Sequence, residues 1–163
     1  MRAHALLLAL KAFLDETLAA VPLPDPETGR DELGKAMCFF GNLPETDAED
    51  LPERFPFAVM RWLEGESRED GKNEETVALI LGVYAPSGSG EAELVTVMLM
   101  DHLRLALMEN RTLDRRFELR LPLESAKPDP EKRQHTYHYA TIMTRWEHTT
   151  PRRPLNFEGE NNE

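Results

Sequence analysis

A single cysteine among 163 residues excludes an internal disulfide. Cys38 therefore gives no sign of an oxidising compartment, and the cytosol is the expected setting. No stretch approaches the ~20 uninterrupted apolar residues of a membrane span, so no membrane partner is expected. The run from Ala5 to Leu10 follows Arg2 as in a signal peptide, but Lys11 cuts it short and the pattern continues amphipathically. Positive charge is also scarce, with 19 Lys and Arg against 30 Asp and Glu and a formal net charge of −11. Gripping duplex DNA requires cations that displace its counterions, so the charge balance disfavours broad electrostatic binding of nucleic acid. The same balance favours solubility, or a surface that DNA passes without adhering. What the chain does contain is ordinary globular composition, 40% hydrophobic and 30% charged, at the length of one domain.

From His4 to Ala20, Leu6, Leu10, Phe13, Leu14 and Leu18 recur at helical spacing while Lys11, Asp15 and Glu16 fall elsewhere, which predicts an amphipathic first helix. Pro22, Pro24 and Pro26 stop it and hold the chain extended. A long Pro-rich connection is expected over 22–56, in which Ala36 to Phe40 alone has the apolar density of a strand and Glu45 to Glu53 forms a solvated loop. Phe57 to Leu63 and Thr76 to Ala85 read as strands of a hairpin, joined by a long polar loop from Gly65 to Lys72. Val77, Leu79, Leu81 and Val83 share one face of the second strand, with Ala78 and Ile80 on the other, so this strand is expected to be central and covered on both sides.

Glu91 to Glu109 reads as a second helix, acidic in its first turn and capped by Asn110. Its apolar residues span about two-thirds of the circumference, and even the narrow strip of Glu93, Asp101 and Arg104 includes Val97 and Met108. Such a helix is either sandwiched deeply or lies against another subunit, because a two-layer fold covers about one face. Val97, Asp101, Arg104 and Met108 are the candidate subunit interface. Phe117, Leu119 and Leu121 alternate as a half-exposed strand ending at Pro122, and a charged loop follows from Glu124 to Arg133. The last strand, from about His135 to Trp146, sets Ala140, Ile142, Thr144 and Trp146 on one face. The expectation is one α+β domain over 1–148, a mainly antiparallel sheet of four to five strands packed with two principal helices, and a flexible tail over 149–163.

Sites for chemistry are weak. Gly88-Ser89-Gly90 stands at a strand-to-helix junction, where backbone N–H groups could cradle phosphate, but Glu93 occupies the next glycine position and Glu91 adds negative charge. His135 and His138, three apart on a strand, point to opposite faces and do not share a metal. Cys38 lies in Met37-Cys38-Phe39-Phe40, an apolar setting that raises a thiol pKa, so it reads as a buried structural cysteine. The carboxylates from Glu64 to Glu75 crowd a polar loop with no apolar pocket to separate their pKa values. No catalytic, cofactor or metal residue is expected.

The order of elements from Phe57 to Glu147, with the Pro56-Phe57-Ala58-Val59 opening, the Leu121-Pro122-Leu123 exit and the aromatic strand from Tyr137 to Trp146, resembles the tail-terminator and related neck proteins of siphophages. The N-terminal helix is also similar, whereas the 22–56 segment is longer than in that pattern. The resemblance implies a small α+β subunit without turnover or cofactor. Such a subunit forms a ring, commonly a hexamer, at the head-proximal end of the tail tube. Its implied partners are its own copies, the tail tube protein and the head–tail connector proteins, with DNA passing only through the lumen. Its implied locations are the virion neck and, during assembly, the host cytoplasm. Glu66, Arg68, Glu69 and Asp70 are the candidate partner-docking loop, since mobile polar loops on a rigid scaffold often carry contacts. The nearest alternative is a head-completion or other neck connector protein. A small nucleotide- or phosphate-binding enzyme using the Gly88-Ser89-Gly90 turn is the alternative of another class.

Overall fold

Leucines four apart at positions 6, 10, 14 and 18 make one continuous stripe on helix α1, Arg2–Ala19, and each is at most 1% exposed. The fold is described by a computed structural model for residues 2–21, 23, 36–85, 90–127 and 136–150. Among the described residues the structure is α+β, with two α-helices and one six-stranded sheet. The strands are β1 (Met37–Phe40), β2 (Phe57–Ser67), β3 (Lys72–Tyr84), β4 (Thr112–Leu113), β5 (Phe117–Ala126) and β6 (Tyr137–Thr149), and helix α2 is Glu91–Glu109. Their order across the sheet is β1-β2-β3-β6-β5-β4. All neighbours are antiparallel except β1 and β2, which run parallel with Met37 beside Phe57 and Phe40 beside Met60.

The sheet therefore has more strands than the sequence suggests, and one parallel pair. A parallel pair needs a long crossover rather than a tight turn. That is the role of residues 41–56, which include a 3-10 turn at Leu51–Arg54. β3 is central as expected, but both helices lie on one face of it. Val77, Leu79, Leu81 and Val83 are fully buried there against Leu99, Leu103 and Leu107 of α2 and the leucine stripe of α1. The opposite face is closed by side chains of the sheet and its approach. Phe55 packs on Phe57 with centroids 4.8 Å apart and on Tyr137 at 5.2 Å, and Tyr139 lies 6.1 Å from the same ring. Gly82, opposite both Phe57 and Tyr139 in register, leaves the space into which the Phe55 and Phe57 rings fold.

Three strand ends differ from the sequence reading for identifiable reasons. Half of the hairpin loop expected from Gly65 to Lys72 is strand, and the reversal is confined to 68–71, closed by Arg68 N donating to Lys72 O at 2.9 Å and Gly71 N donating to Arg68 O at 3.0 Å, with φ +83° at Gly71. β5 continues through Pro122 to Ala126, with a register shift between Arg120 and Glu124. Pro122 is tolerated because it falls in the register shift, where β5 has no partner in β6, and β4 pairs only with the start of β5, so no described neighbour there needs its N–H as a donor. β6 runs to Thr149, and Thr150 N still donates to Gly71 O at 2.8 Å. The sheet thus extends past the expected start of the tail, whose remainder, 151–163, lies outside the described residues.

Candidate functional site

Helix α2 buries Ala92, Val95, Thr96, Leu99, Leu103 and Leu107 against the sheet and α1. Thr96 joins this apolar face because its hydroxyl donates to Ala92 O at 2.7 Å, one turn back, and so carries no unpaired donor into the core. The buried set fills one side of the helix and leaves large apolar residues on the other. Leu94 and Leu105 are 60% and 59% exposed, and Met98 and Met108 stand out beside them. Positions 94, 98, 101, 105 and 108 advance by four and three, so they form a single line along the helix, interrupted only by Asp101.

Along the C-terminal half of that line, α2 and β5 enclose an open groove of about 610 Å³. Leu105 and Met108 form its helix wall, and Leu121, Pro122 and Leu123 its strand wall. Asp101 and Arg104 lie at its margin, with Arg104 Nη1 3.6 Å from Asp101 Oδ1. Arg104 Nε is shielded from solvent yet has no acceptor among the described residues. An apolar groove with an under-used guanidinium suits a protein segment better than a small polar substrate.

Of the four interface candidates read from sequence, Asp101, Arg104 and Met108 line this groove, while Val97 is half-buried beside it. The exposed centre is displaced from Val97 toward Leu94, Met98 and Leu105. All three are apolar, and helical periodicity alone cannot tell which part of a wide apolar arc the sheet will take. The buried Ala92 and Thr96 mark the closely packed side, and small residues in the helix were the signal that could have found it.

A second exposed region is the β2–β3 hairpin. Every residue from Arg61 to Asp70 is exposed, including Trp62 and Leu63 at 45% and 44%. Of the four docking-loop candidates, Glu66 belongs to β2 and Arg68, Glu69 and Asp70 to the reversal. Arg68 Nε donates to Glu66 Oε1 at 3.0 Å, and Asp70 Oδ1 accepts from Lys72 N at 2.9 Å, so the tip is an ordered turn. Behind it, Glu75 accepts from Trp62 Nε1 at 2.7 Å and faces His148 Nε2 at 3.4 Å. Gly65 sits opposite Glu75 because the carboxylate fills the place of a side chain there, with Oε2 only 2.5 Å from where a Cβ would stand.

Residues 88 and 89 of the Gly88-Ser89-Gly90 turn, and His135, lie outside the described residues. No group of three His, Cys, Asp or Glu side chains placed to hold a metal occurs among the described residues. No described helix is long and apolar enough to cross a membrane. Cys38 is 8% exposed. Burial pushes its thiol up to about 11, the Asp15 carboxylate adds to the rise and Lys11 opposes it. At pH 8 the thiolate fraction is then about one in a thousand. Iodoacetamide should alkylate Cys38 more than about a hundredfold faster in urea-unfolded protein than in the folded chain; equal rates would show that the thiol is neither shielded nor shifted.

No family model matches the chain, and no curated protein matches it. It is similar to a solved structure that aligns over 91% of this chain and 96% of its own, at 12% identity and a TM-score of 0.50. A likeness at that identity speaks for the shared α+β fold and for nothing about activity.

Proposed function

We propose that this chain is a structural subunit of a long-tailed bacteriophage particle: a tail terminator that forms a ring, six copies being the family pattern, at the head-proximal end of the tail tube and joins tail to head. The observation that carries the reading is the line of Leu94, Met98, Leu105 and Met108 on a helix that its own sheet covers on one side only. Apolar side chains of that size in one row favour a protein partner, since single scattered ones would need no explanation. In this reading the tail tube protein and the head–tail connector proteins are the further partners, and the ordered hairpin tip at Arg68, Glu69 and Asp70 is a surface for one of them. DNA crosses the lumen, and the net charge of −11 helps it pass without adhering. The work is assembly, with no turnover and no cofactor, in the host cytoplasm and then in the virion neck. A neck connector would share the same helix surface and differ in its partner, binding portal-side proteins in place of the tube.

Light scattering of the purified chain, alone and mixed with tail tube protein, tests the reading. The expected result is a mass of several 18.6 kDa subunits, formed spontaneously or on the end of the tube. Leu105→Glu should reduce that species to monomer by burying an unpaired charge in the interface, a cost of about 2–5 kcal/mol and so a roughly thirtyfold or greater loss of affinity. Its melting midpoint should barely change, because the position is exposed in the single chain. A chain that remains monomeric with tube protein present would overturn the proposal.

A further inference from the structure

The exposed apolar residues of the sheet and of α2 fall at two separate margins. At one, β1 pairs with β2 only as far as Met60, so from Trp62 to Ser67 the outer edge of β2 has no strand beside it among the described residues. Trp62 and Leu63 are exposed there, and Phe40 of β1 lies on the same side at 45% exposure. At the other, β4 covers only Phe117 and Glu118, so β5 from Leu121 to Ala126 is likewise without an outer neighbour among the described residues. The α2–β5 groove opens along it, with Leu105, Met108 and Leu121 exposed.

The charges at these margins have opposite sign. Between 61 and 70 the β2 margin carries four acidic and two basic residues. Between 110 and 120, where α2 runs through β4 into β5, there are four arginines and two acidic residues. Arg111, Arg115 and Arg116 are all exposed, and Arg115 is presented by a turn in which Asp114 and Arg115 both hold positive φ, 49° and 55°. Within that stretch Arg116 is paired with Asp114 and Arg120 lies 3.8 Å from Glu147, so the arginines without an ion pair among the described residues are Arg111 and Arg115. Arg104, with its unaccepted Nε, adds a donor in the groove itself.

We infer that these two margins are the two halves of one head-to-tail interface, in which the acidic β2 margin of one copy docks on the basic β5–α2 margin of the next. Different surfaces meeting in this way give a repeating contact that closes into a ring or propagates, whereas a surface pairing with itself stops at a dimer. Trp62 and Leu63 supply the apolar part of the contact to the groove of Leu105, Met108 and Leu121. Glu64 and Glu66 face the arginines at the end of α2. The inference rests on the ring reading and assigns its contact surfaces.

Two variants test it by light scattering. One carries Leu63→Lys and Glu66→Lys at the β2 margin; the other carries Leu105→Glu and Arg115→Glu at the β5–α2 margin. Each alone should be monomeric, with self-association weakened at least a hundredfold. An equal mixture should associate again into dimers or larger species, because each variant retains the half that the other has lost and the two charge-reversed margins are once more of opposite sign. A β2-margin variant that still forms the parent's ring overturns this interface and leaves the ring reading standing. A mixture that stays monomeric also overturns it, provided circular dichroism shows both variants folded. Should either variant misfold, a chain with Cys38→Ala, Glu66→Cys and Arg115→Cys replaces them. A short bis-maleimide should link it into a ladder of copies while leaving each single-cysteine chain unlinked; dimers from a single-cysteine chain would show self-pairing and overturn the proposal.

Discussion

Trp146→Ala should destabilise the fold by about 3–5 kcal/mol, enough to leave much of the chain unfolded near 37 °C if its stability is typical of a domain. Trp146 is fully buried at the point where β6 meets Leu119 of β5 and Glu75 of β3. Its indole donates to Thr144 Oγ1 at 2.9 Å, and that hydroxyl donates onward to Val77 O at 2.8 Å. Removing the ring leaves a large cavity under the helix layer and also ends this relay. Trp146→Phe separates the two effects. It keeps most of the volume and deletes only the donor, while Thr144 retains Val77 O as acceptor, so the cost should fall to about 1–2 kcal/mol. Urea denaturation followed by circular dichroism measures both. Equal midpoints for the two variants would show that packing of the ring matters little.

Gly82→Ala should cost about 2–3 kcal/mol, a large effect for one methyl group. The added Cβ would collide with the Phe57 ring and stand 2.8 Å from Phe55 Cε1. Packing restricts the retreat of both rings. Phe57 is 2% exposed, and Phe55 is packed against Phe57, Tyr84, Tyr137 and Tyr139. Burial in this layer also raises the Tyr139 phenol above its ordinary value, with Tyr137 adding to the effect. For a chain of this size a loss of that magnitude lowers the melting midpoint by roughly 4–12 °C. An unchanged midpoint would mean that the aromatic layer gives way easily, and that the face away from the helices is not a packed surface.

These positions show how unevenly the fold could be read in advance. The bounds of α2 were legible because local chemistry marks them: acidic residues in the first turn and Asn110, whose N–H and side-chain amide both donate to Ala106 O at 3.0 Å. The faces of β3 and β6 were legible because alternation is intrinsic to a strand, and Val77, Leu79, Ile142 and Trp146 are all fully buried. Glycine and proline misled where a distant residue sets their role. Gly65 looked like the edge of a loop but makes room for the Glu75 carboxylate, and Pro122 looked like a strand end but lies in a register shift of β5 with no outer neighbour among the described residues. The parallel pairing of β1 with β2 left no local mark, since neither strand's sequence records which way its neighbour runs.

The candidate surface divides in the same way. Periodicity and composition by themselves determined that α2 is too apolar for one sheet to cover, that the chain is acidic, and that its strands and helices form an α+β arrangement. Those are properties of single segments, and short-range sterics and burial act on segments directly. Only the tertiary structure decided which side of α2 stays exposed, that β5 comes beside it to make a groove, and that acidic and basic margins belong to strands far apart in the sheet order. Those relations arise from contacts between residues distant in the chain, and they exist only once the sheet has set the register and order of its strands.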